Sequence, residues 1–93
     1  MAHAQIPPRH TAEEMAEWLR TQLRRAEQGL ATSEANWERR VARHDARPDQ
    51  DLESVKLQWK YDVEQHNISI RLWRERISVY RTALQYLTAE VWS

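Results

Sequence analysis

Few residues in this chain are spaced for chemistry. It has four histidines, His3, His10, His44 and His66. A carboxylate-bridged dimetal bundle needs Glu-x-x-His pairs facing inward from neighbouring helices. The positions three before His44 and His66 are Val41 and Val63, so that motif is absent. His3 and His10 have no second ligand at a metal-like spacing. Glu13, Glu14 and Glu17 could pass for a paired-carboxylate cluster for acid–base work. On the first turn of a helix, though, they compensate the positive end of its dipole. There is no cysteine, hence no thiolate nucleophile, disulfide or zinc–thiolate site. Phosphate loops, dinucleotide turns and serine elbows need glycines, and the chain has one. The expectation is a non-enzyme with no catalytic group, no metal site and no cofactor.

Two arginine groups remain as recognition candidates. Arg39, Arg40, Arg43 and Arg47 form a basic patch near a turn. It is suited to an acidic partner or phosphates, with Glu38 and Asp45 close enough in sequence to neutralise part of it. Arg71, Arg74, Arg76 and Arg81 interleave with Trp73 and Tyr80, the pattern of a surface that stacks single-stranded bases. Both aromatics fall on an apolar seam, however. Fourteen basic and fourteen acidic residues cancel. A nucleic-acid binder draws its affinity from neutralising phosphates, so no nucleic acid is expected.

The elements that must carry these residues are two helices. Thr11-Ala12-Glu13-Glu14 reads as a capping box. A seam follows it at Met15, Leu19, Leu23, Ala26, Leu30, Ser33, Trp37, Val41 and His44. Gly29 and Thr32-Ser33 could interrupt this helix. Leu23, Leu30 and Trp37 nonetheless stay in phase across Gly29, which favours one helix with a weak or bent middle. Pro48 ends it, and Asp49 or Asp51 is placed to cap the next helix. The second seam is a heptad: Val63, His66, Ile70, Trp73, Ile77, Tyr80, Leu84, Leu87 and Val91. The expectation is an all-α antiparallel hairpin: an extended or disordered arm over 1–10, a helix over 11–46, a turn at 47–49 and a helix over 50–92. If the turn centres near Pro48, facing residues have numbers summing to about 96 in such a hairpin. That arithmetic pairs Trp37 with Trp59 as an aromatic layer. It also sets His44 against Leu52, Leu30 against His66 and Leu23 against Trp73, and it leaves the seam from Leu84 onward uncovered.

The second helix carries a further apolar line: Leu57, Tyr61, Ile68, Leu72, Val79, Ala83 and Tyr86. A hairpin covers one seam per helix, so a second line implies another neighbour. Ile68, Leu72, Val79, Tyr86 and Leu87 are therefore expected at a homodimer interface that assembles two hairpins into a four-helix bundle. Five tryptophans are many for 93 residues, and tryptophan is common in interface cores. Trp18, Trp92 and the Arg39, Arg40, Arg43, Arg47 patch are the candidates for a different protein partner. His66, alone on the seam, is read as satisfied by a neighbour. No apolar run approaches the ~20 residues of a membrane span, and the N-terminus lacks the apolar core of a signal peptide. The chain is expected to be cytoplasmic.

Two resemblances add to this reading. Tyr86-Leu87-Thr88-Ala89-Glu90 resembles the C-terminal Tyr-x-x-x-acid export pattern of the WXG family of type VII secretion substrates, which are helical hairpins. That family's Trp-x-Gly turn is replaced here by Ala46-Arg47-Pro48-Asp49. Twelve arginines against two lysines, on alanine-rich helices, make the chain similar to short accessory proteins of actinobacterial phages. That resemblance implies a small protein that binds and modulates a host protein, for which a host coiled-coil protein would be a natural target. A scaffold-like coiled-coil role is the remaining alternative.

Overall fold

A computed structural model describes residues 11–92, with side chains through Thr88. The expected arm over 1–10 and the side chain of Trp92 lie outside the described residues. Two helices, α1 (Ala12–Asp45) and α2 (Glu53–Trp92), pack against each other as a hairpin. It measures 65 × 34 × 15 Å. The short dimension is one helix layer, since the described residues form only this pair of helices.

The start of α1 is the expected capping box. The Thr11 hydroxyl accepts the Glu14 N–H at 3.1 Å, and the Glu14 carboxylate accepts the Thr11 N–H at 3.3 Å. Two donors that an open helix end leaves without partners are thereby satisfied. The far end closes with Ala46 N–H donating to the Ala42 carbonyl and Arg47 N–H to the His44 carbonyl. The connection is longer than expected. Leu52 N–H bonds the Asp49 carbonyl at 3.0 Å, and the first α2 bond runs from Lys56 N–H to the Leu52 carbonyl at 2.9 Å. The second helix thus begins three residues later than the sequence reading placed it. Asp49 is not its cap. The Asp49 carboxylate is held inside the turn by Arg47, which donates Nε and Nη2 to its two oxygens at 2.8 and 2.9 Å.

Helix α1 is continuous through Gly29. The glycine is there for space rather than as a break. A Cβ built on it would lie 2.5 to 2.8 Å from three carbons of the Trp73 six-membered ring. The missing side chain lets Trp73 lie against the α1 backbone. Arg76 covers that ring, its guanidinium 5.1 Å from the centroid. The core of the described residues is Ala16, Leu19, Ala26, Ile70 and Ile77. Two of the three buried residues of α1 are alanines, whose small side chains let the helices approach closely.

The α1 seam starts on Ala16, which is 5% exposed, and Met15 is 39% exposed. Strict three–four alternation back from Leu19 and Leu23 reaches Ala16, and packing follows that phase rather than the larger side chain. The longer connection also shifts the pairing. Trp73 meets Gly29 rather than Leu23, and His66 meets Trp37 rather than Leu30. The new partners lie six and seven residues farther along α1, close to two helical turns. As a result α1 reaches Leu84 and Leu87, which are half-buried rather than uncovered.

Two outcomes check this account. In an open helix Gly29→Ala would stabilise by about 0.5–1 kcal/mol. Here it should destabilise by about 1–2 kcal/mol in thermal melts, because the Trp73 ring must move. Gly29→Ala with Trp73→Leu should recover the gain. The second concerns pH. The hydrogen bonds from Arg47, aided by its charge, hold the Asp49 carboxyl below its usual range. The stability from this pair is present above the ordinary carboxylate pKa and is lost as pH falls through the depressed value. Asp49→Asn should lower the melting temperature slightly at pH 7 and leave it unchanged near pH ~2.

Candidate functional site

Four rings stack across the two helices near the turn. His44 of α1 lies on Trp59 of α2, with centroids 3.9 Å apart and planes within 5°. Trp59 lies on Trp37 of α1 at 5.0 Å and 7°. Trp37 lies on His66 of α2 at 4.3 Å and 7°. The expected Trp37–Trp59 layer is therefore the centre of a four-ring ladder that alternates between helices. His66, set against Leu30 by the pairing arithmetic, stacks on Trp37, and His44 stacks on Trp59 rather than facing Leu52. Signals for this were present in the sequence: both histidines lie seven residues from the tryptophans on their own helices, one heptad along the same seam.

The ladder has polar edges. Arg40 reaches across to Asp62 at 2.9 Å and covers Trp37 with its guanidinium 5.8 Å from the ring centroid. A groove of ≈ 430 Å³ runs along one edge past Asn36, Trp37, Arg40, Tyr61, Asp62 and His66. A smaller notch of ≈ 210 Å³ gathers Arg40, Arg43, Arg47 and His44 around Trp59 and Asp62. Three of the four arginines of the expected basic patch thus converge. Arg39 does not, and turns along α1 to Asn36. Asp62 and Asp49, not Glu38 and Asp45, supply the counter-charges. Among the described residues no three His, Asp or Glu side chains gather as a metal cage.

The second surface is the apolar line on α2. Leu57, Tyr61, Ile68, Leu72, Val79 and Tyr86 are all exposed, between 44 and 70%. Ala83 is half-buried. Four of the five expected interface residues, Ile68, Leu72, Val79 and Tyr86, therefore share one open face. Leu87 is separate: it lies half-buried on the hairpin seam. On a helix of 3.6 residues per turn the line is about 140° around α2 from that seam. Leu57, Ile68 and Val79 recur every eleven residues, as do Tyr61, Leu72 and Ala83. Eleven residues make slightly more than three full turns, so the stripe runs nearly straight along the helix. Trp18 lies elsewhere, 52% exposed, with its ring set edge-on to Tyr80 at 6.3 Å. It is partly used inside the hairpin and partly open. Arg71, Glu75 and Arg76 are exposed.

No protein-family model, curated protein or solved structure matches the chain. No described helix is long and apolar enough to cross a membrane.

The ladder predicts a measurable coupling. A double-mutant cycle of Trp37→Leu and Trp59→Leu should give about 0.5–1.5 kcal/mol of interaction energy beyond the single losses, with loss of near-ultraviolet circular dichroism. A coupling near zero would mean that the rings only fill space.

Proposed function

We infer that this chain is a non-enzymatic helical module for protein–protein interaction, working in the cytoplasm of the cell that makes it or that it enters. Its binding surface is the apolar stripe on the back of α2. The observation that carries the reading is a mismatch between what the hairpin buries and what it leaves open. Five described residues form the core, and six large apolar side chains lie along one open face. A monomer seldom keeps so large a continuous apolar patch in water without using it.

The mode of binding follows from the shape. A straight apolar stripe on a long helix accepts another amphipathic helix laid along it. The homodimer and the four-helix assembly belong to this proposal, and so does a coiled-coil partner in a host cell. The notch of Arg40, Arg43 and Arg47 and the open half of Trp18 are secondary contacts for a partner that reaches past the stripe. A role as carrier of a bound small molecule has less support, because the grooves beside the ladder are open to solvent along their length and already hold the Arg40–Asp62 pair.

Site-specific photo-crosslinking in the producing cell tests the reading. A photoreactive residue at Leu72 or Val79 should trap a protein adduct. The same residue at Arg74, exposed on α2 but away from the stripe, should trap none. Folded protein that gives no adduct from either stripe position would overturn the proposal.

A further inference from the structure

We propose that the occupant of the α2 stripe is a second copy of this chain, its α2 antiparallel to the first, with Arg71 of each protomer facing Glu75 of the other. The proposal rests on the stripe being a binding surface, and adds its partner and register.

Three observations carry it. The first is area. Six side chains 44–70% exposed offer on the order of 700 Å² per chain, against ~800 Å² per partner in stable complexes. The second is the symmetry of the stripe. A two-fold axis crossing α2 just beyond Leu72 sets Ile68 opposite the partner's Val79 and Tyr61 opposite the partner's Tyr86. Both pairs follow from the same register. The Ile68–Val79 pairs and the aromatic ends are thus self-complementary, as an isologous contact requires.

The third is charge. Glu64, Arg71, Glu75 and Thr82 line one border of the stripe, and Gln58, Gln65, Ser69 and Arg76 line the other. In an antiparallel pair each border meets its own copy. The same register sets the partner's Glu75 across from Leu72 and so within one residue of Arg71, twice, and brings Glu64 within one residue of the partner's Thr82 and Arg76 within two of its Ser69. No like charges meet. In a parallel pair opposite borders meet, and Arg71 would face the partner's Arg76 twice. Border charges of this kind decide helix orientation. The α1 helices are no obstacle, since they lie about 140° away around α2 and end up outermost. The assembly has four helices, with the two α2 helices in the middle.

The full chain should sediment as a dimer at about 100 μM, a concentration above the dissociation constant of most interfaces of this size. Arg71→Glu alone and Glu75→Arg alone should each weaken dimerisation at least ~10-fold, since like charges then meet twice. Arg71→Glu with Glu75→Arg should restore it. The native chain has no cysteine, so single-cysteine variants report the register directly. A mixture of Ile68→Cys and Val79→Cys should oxidise to a crosslinked pair between the two variants. Ile68→Cys alone should not crosslink to itself, because antiparallel copies of that position are too far apart for a disulfide. Ready self-crosslinking of Ile68→Cys would mean parallel helices and would overturn the proposal. So would a dimer lost on Val79→Glu but indifferent to both charge reversals, although the stripe would then remain a binding surface. A monomer at every concentration would overturn the second-copy partner, while adducts from Leu72 or Val79 would still uphold the stripe.

Discussion

His44, Trp59, Trp37 and His66 stack face to face, each ring from the helix opposite its neighbours. Two long helices with apolar seams can slide by a turn and still find apolar contacts. Flat rings that alternate between the helices remove that freedom, because a slide of one turn would open three ring contacts together. Gly29 against Trp73 locks the register again farther along, where a notch in α1 admits one large ring. With the register held at both places, Arg40 meets Asp62 and Arg81 meets Glu27, each at 2.9 Å. Those pairs are exposed enough to contribute little stability by themselves. They follow from the register and do not set it.

A fixed register also fixes which face of α2 remains open. The ladder and the Trp73 contact use the heptad seam, so the eleven-residue stripe is turned outward along its whole length. The two repeats have different periods on one helix. Seven residues fall slightly short of two turns and eleven slightly exceed three. The seam and the stripe therefore drift in opposite senses, and neither can take over the other's partner. The helix has two apolar faces, of which the hairpin covers one.

The thin core gives this arrangement its energetic logic. Five described residues are buried, two of them alanine. Small domains of this kind seldom gain enough from a single core, and association is one common remedy. In the proposed dimer the α2 helices become interior elements covered on two sides, while the charged outer surfaces of α1 meet water. Arg71 and Glu75 are exposed in the single hairpin, and the proposed dimer would give each a partner on the second copy.

Much of this architecture was legible in the sequence. Apolar spacing showed the two helices and the second apolar line, and Thr11, Glu14 and Pro48 marked helix ends by their own chemistry, because each of these depends on local periodicity or on a residue's own preference; the Trp37–Trp59 layer came from counting back across the turn. The sequence did not reveal the length of the connection, since the hold of Arg47 on Asp49 and the late start of α2 at Glu53 depend on how the two ends meet. Of the pairings counted from the turn, Trp37–Trp59 held, while the partners of His66 and Trp73 and the coverage of Leu84 and Leu87 moved. The use of Ala16 in place of Met15 was likewise decided by packing, where phase along the helix outweighs side-chain size. Gly29 is the clearest case. In sequence it marked a weak point, and only the approach of Trp73 from the other helix makes it a requirement, because steric room between two helices is a property of their contact and not of either one.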